Sequence, residues 1–351
     1  MKKIITLFAL CLLSGLALAQ TNEQIALEKG KEAIKLMDDG YIDKSIELLE
    51  EAQKLDPEKF TYPYEIAYAY YMKEEYKTAI KTLEKTEKYK NINDLLYQLM
   101  GNSYDMLGNS KEAIKTYEKG LKKFPNSGRL YLELGVTLLK KGESNTALSY
   151  FEKGINVAPS FPSNYYWASK LFCDSDEEVW GLIYGELFMN LERNSKRTVE
   201  ISKLLFDTYK NEIKFKNDSS ISVSFSKNNV IDINNIKMPF GVGIYEPTLL
   251  MSLLSVKEIN IGSLNIIRSN FVDNYFKQGY DKRYPNVLFT YQKKVKDAGH
   301  MEAYNYWILM KGDNYEFMNW QLADKDKWEA FIEWFSANPL QLDSENKFTR
   351  Q

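Results

Sequence analysis

Histidine occurs once in 351 residues, at His300, and cysteine only twice, at Cys11 and Cys173. That scarcity removes most familiar chemistry. A Ser-His-Asp triad or a histidine-rich metal site needs imidazoles this chain does not have. "GHMEAY" around His300 is not a zinc-protease motif, and His300 reads as a helix-start or surface residue. Glycine-rich phosphate loops are also missing. "FGVGIYEP" at 240–247 has two glycines and no third, and reads as a turn. No G-x-S-x-G or Walker lysine motif occurs. "CDSDEE" at 173–178 lacks the glycine and distal glutamate of a calcium loop, and reads as Asp174 or Ser175 capping a helix with acids in its first turn. No metal or cofactor is implied. Basic excess is absent too: 46 Lys and Arg stand against 48 Asp and Glu, which argues against a nucleic-acid partner.

Long hydrophobic runs are confined to the start. "MKKIITLFALCLLSGLALAQ" has two lysines, an apolar stretch and Ala17-Leu18-Ala19, the plan of a cleavable secretory signal over residues 1–19. Cys11 follows Leu10 inside the apolar run and does not read as a lipid-attachment site. The implied location is the periplasm or cell envelope. Past this leader "LLMSLLSV" at 249–256 is stopped by Lys257-Glu258, too short for a membrane span. Cleavage leaves Cys173 alone, so no internal disulfide is expected, and Cys173 reads as a buried apolar residue. Aromatic residues make up 14% of the chain, and packing must supply its stability.

What the sequence does have is self-similarity at 34 residues. Ala33, Ala67, Gly101 and Gly135 form one series; Ser45, Ala79, Ala113 and Ala147 a second; Ala52, Thr86, Gly120 and Gly154 a third; Pro57, Asn91, Pro125 and Pro159 a fourth. Each unit reads as two antiparallel helices. The small residues sit where the helices approach most closely, and large residues such as Tyr97, Tyr104 and Tyr117 fill the remaining space. Gly40, Gly108 and Gly142 fall between the paired helices, where a left-handed residue is favoured; Glu74 holds that place in the second repeat and predicts a turn that is slightly strained or differently shaped. The prolines are expected to end the second helices.

This period, the small/aromatic pattern and the closing proline resemble the tetratricopeptide repeat (TPR). The clearest units run about 26–161. A degenerate fifth follows, with Ala168-Ser169 in phase and Gly181 and Gly185 on its second helix, so the expected solenoid spans 20–193. The chain as a whole is similar to uncharacterised exported repeat proteins of Bacteroidota-type bacteria. The fold expected is all-α: an α-α superhelix followed by a mostly helical domain, 194–351, with a small β-hairpin. The resemblance implies a groove lined by first helices that holds a protein or peptide. Counting within each unit places Leu27, Ile34 and Met37, then Tyr64, Tyr68, Tyr71 and Met72, then Gln98, Asn102, Asp105 and Met106, then Arg129, Leu132, Val136, Leu139 and Lys140 on that face. Tyrosine and methionine suit recognition; the tyrosines also suit packing between repeats. A carboxylate clamp of the kind found in some repeats is not expected, because Gln98 stands where a lysine is needed and Glu133 has the wrong sign.

After about residue 194 the 34-residue phase ends. "TVEISKLLFDTYKNEIKF" reads as an amphipathic helix. Ile221, Val223 and Phe225 alternate with serines, and "KNN" precedes Val230–Ile233, a hairpin pattern. Helices are expected near 246–256, 262–278, 284–298, 300–311 and 325–337. Trp307, Trp320, Trp328 and Trp334 predict an aromatic core there, with an exposed aromatic patch as the alternative. The combined reading is a non-enzymatic envelope scaffold. Its rivals are a structural subunit of a secretion or surface assembly, and a carboxylate-dependent hydrolase in the C-terminal half.

Overall fold

The computed structural model describes residues 21–217, 220–227, 239–253, 256–348 and 350. The expected signal and the strand expected at 230–233 lie outside the described residues. Among the described residues, eighteen α-helices and one two-stranded sheet form the architecture. The chain divides into two compact units at Phe124/Pro125.

The first unit holds three helix pairs: α1 (Asn22–Asp38) with α2 (Ile42–Leu55), α3 (Thr61–Met72) with α4 (Tyr76–Thr86), and α5 (Asp94–Met106) with α6 (Ser110–Lys123). The second unit opens with α7 (Gly128–Lys140) and α8 (Ser144–Val157), then α9 (Pro162–Cys173) and α10 (Glu178–Leu191). All four turns within the first four pairs close in the same way. Tyr41, Glu75, Asn109 and Glu143 each donate a backbone N–H to a carbonyl five residues back, at 2.8–3.0 Å. That geometry requires a left-handed residue, and Gly40, Gly108 and Gly142 supply φ of 86°, 75° and 80°. Glu74 is forced to φ 60°, as its position predicts.

The small residues act in a way the spacing alone does not reveal. A methyl on Gly101 would overlap the Tyr117 ring, and one on Gly135 would overlap the Phe151 ring. In these pairs the glycine admits an aromatic ring from the second helix; the expectation was that backbones meet there. In the same register Ala33 faces the place of Leu49, and Ala67 that of Leu83, all fully buried. The fifth pair does bring backbones together: a Cβ on Gly181 would lie 2.6 Å from the Cys173 backbone nitrogen. There the sizes also invert, with Ser169 on the first helix and Gly185 on the second, and a Cβ on Gly185 would lie 2.6 Å from Ser169 Oγ.

Proline is not what stops every second helix. The helices before Pro57, Pro125 and Pro159 end two residues short of it, whereas α4, which has Asn91 instead, ends at Thr86. "CDSDEE" also differs from expectation. α10 begins at Glu178 with no side-chain cap, and Ser175 Oγ instead accepts the Glu177 N–H at 3.1 Å.

Helix α11 (Lys196–Glu212), capped by Ser195, follows. The β-hairpin exists but pairs differently from the expectation. β1 (Ile213–Asn217) runs antiparallel to β2 (Ser220–Val223), with Ile213 opposite Val223 and Phe215 opposite Ile221. The alternation Ile-Lys-Phe-Lys at 213–216 is a period-2 signal that the adjoining helical pattern hid. "GVGIY" at 241–245 is a π-helical turn running directly into α12 (Glu246–Ser252), where an isolated turn was expected. Then come α13 (Ile261–Lys277), α14 (Tyr280–Arg283), α15 (Val287–Asp297), α16 (Met301–Leu309), α17 (Asn314–Ala323) and α18 (Lys325–Ala337). Residues 314–323 were not expected to be helical; Asp313 caps them. The tryptophans pack: Trp307 lies 4.9 Å from Phe335, and Trp320 stacks on Tyr306 at 4.3 Å. No helix of the described residues is long and apolar enough to cross a membrane.

Gly135→Ala is expected to destabilise the protein by about 1–3 kcal/mol through overpacking, and Phe151→Leu added to it is expected to recover most of that loss. Glu74→Gly is expected to stabilise it by about 0.5–1 kcal/mol by relieving the left-handed strain. Urea midpoints of the four proteins measure both effects.

Candidate partner-binding face

In the first unit the first helices touch one another in sequence, α1 with α3 and α3 with α5. Their shared face carries Leu27 and Ile34 at 45% and 41% exposure, Tyr68 and Met72 at 40% each, and Met106 at 54%. Tyr64 and Tyr71 are half-buried beside them. The aromatic residues form a ladder. Tyr64 lies 5.5 Å from Phe60, Tyr68 stacks on Tyr71 at 6.5 Å, and Tyr71 meets Tyr76 edge-on at 5.3 Å. Tyr68 is thus held by a ring behind it while its own outer face stays open, which suits an anchor for a partner.

Polar groups on α5 continue this face. Asn102 Oδ1 accepts the Tyr117 hydroxyl at 2.5 Å, and Asp105 Oδ1 accepts the Ser110 hydroxyl at 3.2 Å; Gln98 is half-buried. Tyr117 therefore both fills the space at Gly101 and positions Asn102. Met37 does not join the face; at 3% exposure it packs in the core with Leu49 and Ala52. The turn beneath α3 is pinned by Lys73, which bridges Asp43 at 2.8 Å and Glu75 at 3.0 Å.

Residues 96–127 and 116–149 each match a tetratricopeptide-repeat family model. This chain carries tetratricopeptide repeats. Among solved structures, the TPR half is similar to MamA (19% identity over 46% of this chain and 94% of that one, TM-score 0.38). It is also similar to YrrB, described as a TPR protein with an unusual peptide-binding site (20% identity, 51% and 92%, TM-score 0.35). A third is pilF of Pseudomonas aeruginosa (18% identity, 54% and 85%, TM-score 0.45). No curated protein matches.

In the second unit, the predicted site residues of the fourth TPR lie on α7. Arg129, Leu132 and Val136 are all half-buried, with the Arg129 guanidinium 5.9 Å from the Phe161 ring. That unit also contains a polar centre that the sequence reading missed. Glu186 and Arg268, 3% and 4% exposed, pair at 2.7 Å. Glu186 Oε1 also accepts Gln292 Nε2 at 2.6 Å and the Tyr304 hydroxyl at 2.8 Å. Arg268 donates in addition to Asn305 Oδ1 and the Tyr209 hydroxyl, at 2.8 and 3.2 Å. Burial first, and then the Glu186 charge, push the Tyr304 phenol well above its ordinary value. A cavity of about 20 Å³ beside these groups has room for roughly one water. The signal was present: Glu186 and Asn190 are lone polar residues in the apolar run "VWGLIYGELFMN".

Other groups with reactive potential are occupied otherwise. The Cys173 thiol is pushed up to about 12 by burial, which disfavours the nucleophilic thiolate. The His300 ring lies 5.2 Å from Trp334, and burial lowers its pKa. Among the described residues no cluster of metal-ligating side chains forms. The Glu178 carboxyl is raised close to neutrality, from 4.5 to about 7, by burial first and then by the Glu212 charge; its Oε2 is buried without a partner among the described residues.

The folded protein therefore holds a proton on Glu178 that the unfolded chain has released, and stability falls as pH rises from about 4.5 to about 7. Glu178→Gln is expected to flatten that slope and, discounting for partial solvent screening, to stabilise the protein at pH 8 by about 1–2 kcal/mol. Urea unfolding at pH 5 and pH 8 measures this, and an unchanged pH slope would assign the titration to another group.

Proposed function

We propose that this TPR protein is a non-enzymatic scaffold that holds a protein or peptide against the first-helix face of α1, α3 and α5. The observation that carries the reading is the Tyr68–Tyr71–Tyr76 ladder, stacked at one contact and edge-on at the other, whose member Tyr68 stays exposed, as Met72 and Ile34 do. A rigid aromatic surface flanked by adaptable methionines supports recognition at low conformational-entropy cost. The polar groups Gln98, Asn102 and Asp105 would orient the bound chain on the first unit; in the second unit, taken by itself, Arg129, Leu132 and Val136 are the candidate contact residues. The signal-like sequence pattern of residues 1–19 supports a reading of action in the cell envelope after export. The buried carboxylate of the second unit supports the non-enzymatic reading, because Glu186 is committed to Arg268, Gln292 and Tyr304.

A second reading, a permanent subunit of an envelope assembly, is favoured by one observation. Tyr315, Met318 and Leu322 lie at i, i+3 and i+7 on α17 with exposures of 78%, 58% and 76%. Oligomerisation of the isolated chain would favour it.

Pull-down from envelope extracts with wild-type protein and with Tyr64, Tyr68 and Tyr71 all changed to Ala tests the scaffold reading. Loss of about tenfold or more of a captured partner is expected. An unchanged captured set would move the binding surface elsewhere.

A further inference from the structure

The segment after α18 behaves like a bound peptide. Residues 341–346 close a self-contained turn: Asp343 Oδ1 accepts the N–H groups of Glu345 and Asn346 at 2.8 Å, and Asn346 Nδ2 donates to the Gln341 carbonyl at 2.7 Å. Beyond that turn the chain lies across α8, α9 and α10. The Phe348 ring is buried, edge-on to Tyr184 at 5.2 Å and 6.1 Å from Trp180. On one side of it, Lys347 Nζ donates to the Asn156 carbonyl and Oδ1 at 3.0 and 2.7 Å. On the other, Arg350 forms a two-pronged pair with Glu152 at 2.7 and 3.1 Å, its guanidinium 5.2 Å from the Phe172 ring. The Tyr184 hydroxyl donates to the same Glu152 carboxylate at 2.9 Å and holds it in place.

Two features distinguish this from ordinary core packing. Among the described residues, the backbone of 340–350 makes no hydrogen bond to the helices; side chains supply every polar contact. Release therefore breaks no helix or sheet ladder and is a local event. The receptor groups are also complementary to one motif: an aromatic slot, a carbonyl that takes an ammonium, and a carboxylate fixed for a bidentate arginine.

We propose that the cleft of Glu152, Asn156, Phe172, Trp180 and Tyr184 is a docking site for a partner peptide of the pattern Lys-Phe-x-Arg, which the chain's own Lys347, Phe348 and Arg350 fill until they are displaced. It is separate from the first-helix face of the first unit and does not depend on that face binding anything. A partner carrying the pattern competes with the segment, so occupancy depends on partner concentration set against a tethered rival.

A fluorescent peptide of residues 338–351, titrated by anisotropy against three forms of the full chain, tests this. Phe348→Ala with Arg350→Ala empties the cleft and is expected to bind the peptide at least about tenfold more tightly than wild type. Adding Glu152→Arg to that variant is expected to lose the gain, and a peptide with Glu in place of its Arg is expected to restore it. Circular dichroism melting confirms that each variant is folded. Equal binding to wild type and to the emptied form, or no binding to the emptied folded form, would overturn the proposal. So would a wild-type dimer that excess peptide dissociates, which would assign the cleft to a second copy.

Discussion

In the first four helix pairs, buried residues sixteen apart in the chain trade size: an alanine goes with a leucine, or a glycine with an aromatic ring that fills its place. Neither position is conserved in size by itself across the pairs; the combination is. Ala33 goes with Leu49, Ala67 with Leu83, Gly101 with Tyr117 and Gly135 with Phe151. Close-packed interiors tolerate exchanges of volume far better than changes of volume, so the pair spacing survives while the residues drift. The proposed partner-binding face depends on these crossings, because Tyr117 fills the space at Gly101 and hydrogen-bonds the half-buried Asn102.

The second unit solves a different problem. Its helices bury a carboxylate and a guanidinium, which contribute little net stability and become severe liabilities if either loses its partner. Glu186 and Arg268 come from α10 and α13, and their remaining hydrogen-bonding capacity is met from α11, α15 and α16. Such a network ties five helices to one arrangement. It sets register where aromatic packing alone, being less directional, would permit sliding.

Much of the first unit was legible because it repeats: four in-phase series placed the crossings, the left-handed turns and even the strained Glu74. The second unit stops repeating after α10, and its later features were harder to read. Residues 213–216 carry two periodicities at once, and the helical one adjoining it prevailed in the reading although the chain forms a strand there. α17 escaped notice because Tyr315, Met318 and Leu322 face outward, so its pattern does not resemble that of a core helix. Glu186 could have been singled out as a lone acid in an apolar run, but its partner Arg268 is 82 residues away and nothing local points to it. Of the residues that spacing put on the first-helix face, Tyr68, Met72 and Met106 are exposed, whereas Met37 turns inward into the core with Leu49.

The inverted pair at Ser169 and Gly185 carries a structural consequence. Gly185 is hemmed on its far side by Leu205 Cδ2 and Ile201 Cγ2 of α11, which would lie 2.8 and 3.1 Å from an added Cβ. No further hairpin can be spliced in at that point without evicting α11. Helix α11 thus takes the face on which another hairpin would stack, and it closes the array of helix pairs at Gly185.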